Sequence, residues 1–277
     1  SLEEVRGADP EAWAGMGSIS TDAPILEAGK VSLSPSRLET AEACELQWLF
    51  RTVGGDDQDA GEGAEIFSRA ALGNLIHKVA EDHPHGPFEA LQESLDRRWE
   101  SLGLDQNTHW GRYWRQRAET MVARLATHFA GWHGQVLTEE RMKFEAGDGI
   151  VYGRIDRLEI DEDGSARVVD IKTGRGISER AAQENLQLLA YQAGVSAMGR
   201  ESAGAALLQV SPDVSKAFVA QSALDTEQIA EFRSEMASVA SRLSGATFEA
   251  RVGAACRFCP FLKSCPAKQG KGNDSGE

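Results

Sequence analysis

Apolar and polar positions follow two rhythms along this chain. In "SLSPSRLETAEACELQWLF" (32–50), Leu38, Ala41, Leu46 and Leu49 recur at helical spacing behind Ser34 as N-cap and Pro35 at the first helical position. The same rhythm predicts helices over 66–82, 87–102 and 107–133, the last with Met121, Leu125 and Phe129 on its apolar face. Between 136 and 172 the pattern changes to strands. A helix over 178–198, strands at 204–210 and 216–222, and a helix over 225–243 complete the expectation. Helices, a compact sheet and more helices make a mixed α/β layered fold, and no internal repeat interrupts it. Residues 1–31 have little periodicity and read as a linker or docking arm, 32–266 as the folded unit, and 267–277 as a disordered tail.

The segment "VYGRIDRLEIDEDGSARVVDIKTG" (151–174) puts turn chemistry between two apolar runs, with Gly164 available for a left-handed position. A three-residue loop, Glu162–Gly164, pairs Asp161 with Ser165, so that paired residue numbers sum to a constant. Glu159 then faces Arg167, an opposite-charge pair that supports this register, and Asp156 faces Asp170. Directly opposed residues have Cβ atoms about 4.5–5.5 Å apart. Alternation along the strand sets Asp170 and Lys172 on one face and Ile171 on the other. Two carboxylates meeting at the end of an apolar hairpin repel unless something neutralises them. A divalent cation beside Lys172 would do so. The plainer reading is a surface hairpin with water-facing acids and Lys172 as a counter-ion, and a one-residue slip would part the acids.

Composition changes the picture in a few respects. A chain of 277 residues is long enough to bury a core without staples, and 41% hydrophobic with 26% charged residues is ordinary for a globular protein. No run approaches the roughly 20 apolar residues of a membrane span, and the acidic start is no signal peptide, so a cytoplasmic protein with no membrane partner is expected. The opening "SLEEV" lacks a Met and reads as the start of a piece taken from a longer chain. A net charge of −14 argues against a generally basic surface wrapped by nucleic acid but leaves room for a local site. Much of the negative charge lies in 54–65, while basic residues gather in "WGRYWRQRAETMVAR" (110–124).

Further candidates stand on the helices. His77 lies in "LGNLIHKVAED" with Glu81 four residues on, and a neutral imidazole suits Mn2+. Gln187 and Tyr191 in "ENLQLLAYQAG" share a helix face. Each is unremarkable alone. The four cysteines are less ordinary: Cys256, Cys259 and Cys265 form C-x2-C-x5-C, and Cys44 is more than 200 residues away. Disulfides are the plain alternative, but nothing suggests a secreted protein, and four thiolates suit zinc or an iron–sulfur cluster equally well. Either would join the first helix to the C-terminal segment.

Taken together, "CELQW" (44–48), "LGNLIH" (72–77), "GRID" (153–156), "VVDIKTG" (168–174), "QLLAY" (187–191) and C-x2-C-x5-C resemble the iron–sulfur RecB-type nucleases of the PD-(D/E)XK superfamily, over residues 32–266. The likeness is nearest to the C-terminal nuclease domain of AdnAB-type helicase–nuclease subunits. It implies a mixed sheet flanked by helices, with His77, Asp156, Asp170 and the Ile171 carbonyl as ligands of a catalytic Mg2+ or Mn2+. It further implies that Lys172 orients water and stabilises phosphate charge, and that Gln187 and Tyr191 support the site and the DNA strand. Cys44, Cys256, Cys259 and Cys265 would hold a structural [4Fe–4S] cluster that staples the first helix to the C-terminal segment. The implied activity is a deoxyribonuclease, an exonuclease on single-stranded DNA in double-strand-break resection. Its partners would be a helicase motor upstream in the same polypeptide and a second helicase–nuclease subunit. A catalytically inactive iron–sulfur scaffold that binds DNA is the alternative, and a zinc-clasped hydrolase of small phosphoesters a third.

Overall fold

The computed structural model describes residues 23, 24, 26, 31–53 and 67–269. Its sheet grows around one long strand. Strands β2 (Gln135–Ala146) and β3 (Gly149–Ile160) form an antiparallel ribbon that occupies one edge of β3 along its whole length. The other edge is divided. Here β1 (Val31–Leu33) pairs in parallel with 149–151, and β4 (Ala166–Lys172) pairs antiparallel with 157–160. Residues 152–156 between them have no strand on that edge among the described residues. Beyond β4 come β5 (Ser202–Gln209), parallel to it, and β6 (Phe218–Gln221), antiparallel to β5.

Helices α1 (Pro35–Ala43), α2 (Glu45–Val53), α3 (Arg69–Asp82), α4 (Phe88–Trp99) and α5 (His109–Ala130) precede the ribbon, and α6 (Glu179–Gln183), α7 (Leu186–Ala197), α8 (Thr226–Leu243) and α9 (Pro266–Gln269) follow β4. Two cores result. Leu38 of α1, Leu188 of α7 and Met236 of α8 pack with Val168 and Leu207 on one sheet face. Ile76, Leu95 and Leu125 from α3, α4 and α5 pack with Val169, Ile171 and Leu208 on the other. Neighbouring residues such as Val168 and Val169 enter opposite cores because the pleat points them apart. With both faces covered, β4 and β5 carry the apolar runs Val168–Val169 and Ala205–Leu208. Local chemistry sets the helix starts: Ser68, Thr108, Asn185 and Asp225 each accept a backbone N–H from the first turn, and Asp225 with Gln228 completes a capping box.

Several sequence-based boundaries change. The helix expected over 32–50 begins as strand β1, which takes in Val31 from the supposed arm, and it breaks at Cys44, whose backbone is extended at φ −166°. The break lets the Leu46 N–H bond to the Glu249 carbonyl at 3.2 Å rather than continue one straight helix. The helix over 178–198 divides at Asn185, whose side chain caps α7. Ser34 is the N-cap of α1 as expected but makes no capping bond, its hydroxyl turning instead to Ser36. The tail opens with the helical turn α9. The rest of the arm, the acidic 54–65 segment and residues 270–277 lie outside the described residues.

The hairpin register holds: Glu159 pairs with Arg167 and Arg157 with Val169, and Gly164 takes φ +85° in the turn. The charge pairing that supported it does not. Glu159 is buried and accepts from Arg157 Nε at 2.8 Å and His128 Nε2 at 2.9 Å, while Arg167 lies over the Trp132 ring. The pleat points Glu159 away from Leu158 and Ile160, to the α5 side of the sheet where His128 lies. Burial disfavours its carboxylate, yet the bonds from His128 and Arg157 outweigh this and hold its pKa below the ordinary range. Glu159→Ala leaves Arg157 charged and buried, and should cost about 3–5 kcal/mol of unfolding free energy by urea denaturation. A pKa depressed in the native state stabilises above the ordinary glutamate range and is lost as pH falls through the native value. The variant's deficit should therefore shrink in acid.

Candidate active site

Where β3 and β4 part, the charged residues collect. Their ladder ends at Arg157–Val169, so Asp156 and Asp170 stand just past it rather than as a bonded pair. The Asp161 N–H to Ser165 carbonyl bond places 161/165 among the hydrogen-bonded pairs, and every second pair inward, including 155/171, belongs to the same set. The Ile171 N–H would then bond to the Ile155 carbonyl. Instead it donates to the Asp156 carboxylate at 2.8 Å. One side-chain oxygen thus takes the place of a main-chain acceptor and holds Asp156 against β4.

Each strand and helix delivers a part. Asp170 is 3% exposed and on the Val168 face, where Gln187 of α7 donates to it at 3.1 Å and Lys172 pairs with it at 2.8 Å. Lys172 also donates to Gln187 Oε1 at 3.0 Å, so one amide bridges acid and base. Gln187 Nε2 reaches the Tyr191 hydroxyl at 3.1 Å, and that hydroxyl donates to the Arg154 carbonyl at 3.2 Å. From the opposite layer, α3 brings His77 Nδ1 to 3.4 Å from Asp156. His77, Asp156, Asp170, Ile171, Lys172, Gln187 and Tyr191, all named from the sequence, are joined in one connected set. The water-facing hairpin does not describe this burial.

The electrostatics are those of a site short of positive charge. Burial lifts the Asp170 pKa to about 6; Lys172 opposes the rise and the Asp156 carboxylate adds to it. Burial works against a charged His77, but the Asp156 carboxylate beside it outweighs this and raises its pKa. Burial also raises the Tyr191 pKa, so its hydroxyl remains a proton donor. A hard divalent cation suits the oxygens of Asp156, Asp170 and the Ile171 carbonyl, and an imidazole at the rim suits Mn2+. Among the described residues, however, no three His, Cys, Asp or Glu side chains are gathered at metal-holding distances. Lys172 and the Ile171 N–H occupy carboxylate oxygens that such an ion would share.

Glu139 escaped the sequence reading. It stands on β2 in the pairing position skipped opposite Asp156, with φ +56°, a left-handed backbone rare for residues other than Gly, Asn and Asp. With His77, Glu81 and Arg154 it lines a shallow cavity that reaches Asp156. Burial raises its pKa, with Arg154 opposing and Asp156 adding to the rise. Two adjacent glutamates in a strand look like a solvated face, so no sequence signal marked it.

The cysteines lie elsewhere. All four are free and half-buried. Cys44 occupies the α1–α2 break with its Sγ 3.8 Å from the Glu249 carbonyl; Cys256 lies in the 3-10 turn Ala254–Phe258, Cys259 directly after it, and Cys265 after a second turn, Leu262–Ser264. Polar contacts join the two regions: Arg251 donates to the Glu42 carbonyl at 2.9 Å, and the Phe50 and Phe261 rings are 5.2 Å apart.

A family profile described as the PD-(D/E)XK nuclease superfamily matches residues 32–266. The chain belongs to this superfamily. No curated protein matches it. Among solved structures it is similar to SSO0001, at 15% identity and a TM-score of 0.43 over 86% of each chain. It is also similar to a candidate exonuclease from Eubacterium rectale, at 14% identity and a TM-score of 0.47 over 82% of this chain and 87% of that one. The PD-(D/E)XK core is seen here as the mixed sheet with helices on both faces. Among the described residues no helix is long and apolar enough to cross a membrane.

The raised Asp170 pKa has a sign that can be checked without substrate. Its native value of about 6 lies above the ordinary 3.8. The metal-free native state therefore holds this proton more tightly than the unfolded chain, and loses stability as pH rises from about 4 through 6. Asp170→Asn should abolish that loss and stabilise the metal-free protein above pH 6 by up to about 3 kcal/mol. Mn2+ should raise the melting temperature of the wild type far more than that of the variant, as read by thermal unfolding with and without chelator.

Proposed function

We propose that this chain is a metal-dependent deoxyribonuclease that hydrolyses phosphodiesters as an exonuclease on single-stranded DNA. Its setting would be double-strand-break resection, joined to a helicase motor and a second helicase–nuclease subunit. The observation that carries the reading is Asp170, buried between Lys172 and Gln187 with the Asp156 carboxylate adding to its raised pKa. An apolar residue there would stabilise the fold better than a half-neutralised acid. Membership of a nuclease superfamily supplies the chemistry such a set would serve.

Mg2+ or Mn2+, held by His77, Asp156, Asp170 and the Ile171 carbonyl, would polarise a phosphate oxygen and acidify a bound water. Lys172 presents its ammonium at the open side of Asp170, where negative charge grows on the phosphate in the transition state. Gln187 fixes the relative position of Asp170 and Lys172 by bonding to both. Tyr191, kept protonated by burial, anchors Gln187 to the backbone of β3 at Arg154. Together α7 and β4 hold a preformed acid–base pair that needs no rearrangement when a strand arrives.

The same reading assigns Cys44, Cys256, Cys259 and Cys265 to a [4Fe–4S] cluster with a structural role. The Leu46–Glu249 and Arg251–Glu42 bonds support it, because they already tie the Cys44 break to the C-terminal segment.

Asp156→Ala and Asp170→Ala should each reduce Mn2+-dependent cleavage of end-labelled single-stranded DNA to background while the circular dichroism of the folded protein persists. Full-rate cutting by either variant would remove the assignment, and an inactive wild type would favour the scaffold reading. Linear and circular single strands compared side by side separate end-dependent from internal cutting. Cys44→Ala should lose bound iron and thermal stability together, measured by iron content and melting of anaerobic protein. An iron-free variant melting like the wild type would contradict the cluster.

A further inference from the structure

The basic stretch at the start of α5 has no part in the chemistry above. Trp110, Tyr113, Trp114 and Arg117 recur at i, i+3, i+4 and i+7 and so share one helix face. Trp114 is buried. Trp110 and Tyr113 are 56% and 43% exposed, and their rings stack at 5.9 Å with 17° between planes. Arg69 lies over the Trp114 ring, and Arg117 lies over Tyr113 at 5.5 Å while bonding to Asp213. Tyr113, Trp114 and Arg117 of this face line a cavity of about 390 Å³ together with Thr173, Gly174 and Arg175, which directly follow Lys172. Trp110 adjoins it through its stack on Tyr113.

The walls are fixed in place. Gln209 bonds to both the N–H and the carbonyl of Ile177, pinning the loop that leaves β4. Arg124 bonds to the carbonyls of Ser211 and Val214, pinning the opposite lip. Arg175 is exposed and makes no ion pair among the described residues. The cavity adjoins the acidic set through α3. Arg69 lines it, Gly73 sits one turn on where a Cβ would stand 2.9 Å from Thr173 Oγ1, and His77 follows one turn later.

We propose that this cavity and its Trp110–Tyr113 rim hold an unpaired nucleotide of the DNA strand being cut. The inference rests on the nuclease reading and adds to it the residues that select a single strand. An exposed aromatic pair offers a flat surface to a base face of any sequence, while Arg69 and Arg175 offer charge to the flanking phosphates. In a duplex both base faces are already covered by neighbouring pairs, so the rim recognises strands without a complement. A chain of net charge −14 concentrates cations here, where a polyanion must approach.

The test uses the full chain in EDTA, so that binding is read without cleavage, by fluorescence anisotropy with labelled oligo-dT and with a blunt hairpin duplex. Wild type should bind oligo-dT well above the hairpin. Trp110→Ala and Tyr113→Ala should each weaken oligo-dT binding about 5- to 150-fold, the range for losing one base–aromatic stack, and Tyr113→Phe should restore it. Arg175→Gln should weaken binding and flatten its salt dependence by about 0.7 in the log–log slope, one phosphate's share. Alanine variants that bind oligo-dT like wild type, equal losses on oligo-dT and hairpin, or no oligo-dT binding by wild type would each overturn the proposal. A wild type that binds with this preference but never cuts in Mn2+ would sink the nuclease reading alone. One that cuts, with rim variants binding normally, would sink this one alone.

Discussion

The bond between the Ile171 N–H and the Asp156 carboxylate governs the arrangement around it. Because the side chain replaces a main-chain acceptor, the Ile171 N–H stays bonded where β3 and β4 separate. The gap lets charged groups stand at the end of an otherwise dry sheet. It also accounts for the two-layer construction of the site. Asp156 meets α3 on one side, Asp170 meets α7 on the other, and β4 is the seam between them. Without that substitution the ladder would continue, and the acids would face one another as an ordinary like-charge cross-strand pair.

The second constraint is the cost of Asp170. A carboxylate almost wholly removed from water needs donors on both oxygens. Gln187 donates to Oδ1, and Lys172 offsets the charge at Oδ2 as an ion pair without a hydrogen bond. They meet the need incompletely, since its pKa still stands well above that of a solvated acid. Residual repulsion between Asp156 and Asp170 is what a cation would remove. The nearby Arg157–Glu159–His128 cluster differs in kind. There the acid is more readily ionised than usual, because His128 and Arg157 both bond to one of its oxygens. Two buried acids, Glu159 and Asp170, three and fourteen residues from Asp156, thus have opposite characters, set by the donors around them.

How much of this was legible follows from where the information lies. The Glu162–Gly164 turn fixes the hairpin register through local chemistry, so Asp156 and Asp170 were found at one strand end from spacing alone. The supporting Glu159–Arg167 pair misled, because pairing tells which residues are opposite but not which other partners, here His128, Arg157 and Trp132, the fold brings to each. The Cys44 break was hidden because Leu38, Ala41, Leu46 and Leu49 keep one helical rhythm across it; only the distant Glu249 carbonyl rewards stopping there. Asn185 did carry a readable cap signal before an apolar run. Glu139 carried none, since its left-handed backbone arises from the skipped pair in the folded ribbon. The seven candidate residues could be named because their chemistry is local to short motifs; their mutual bonds could not.

One straight helix, α3, bears both Arg69 at the mouth of the aromatic cavity and His77 beside Asp156. Eight residues of α-helix span roughly 12 Å. On the proposed reading, a rod of that stiffness would act as a ruler: the held nucleotide and the scissile bond would keep one separation whatever the base sequence. Trimming by such a device would leave remnants of uniform length, their size dictated by helical pitch rather than by any code in the polymer.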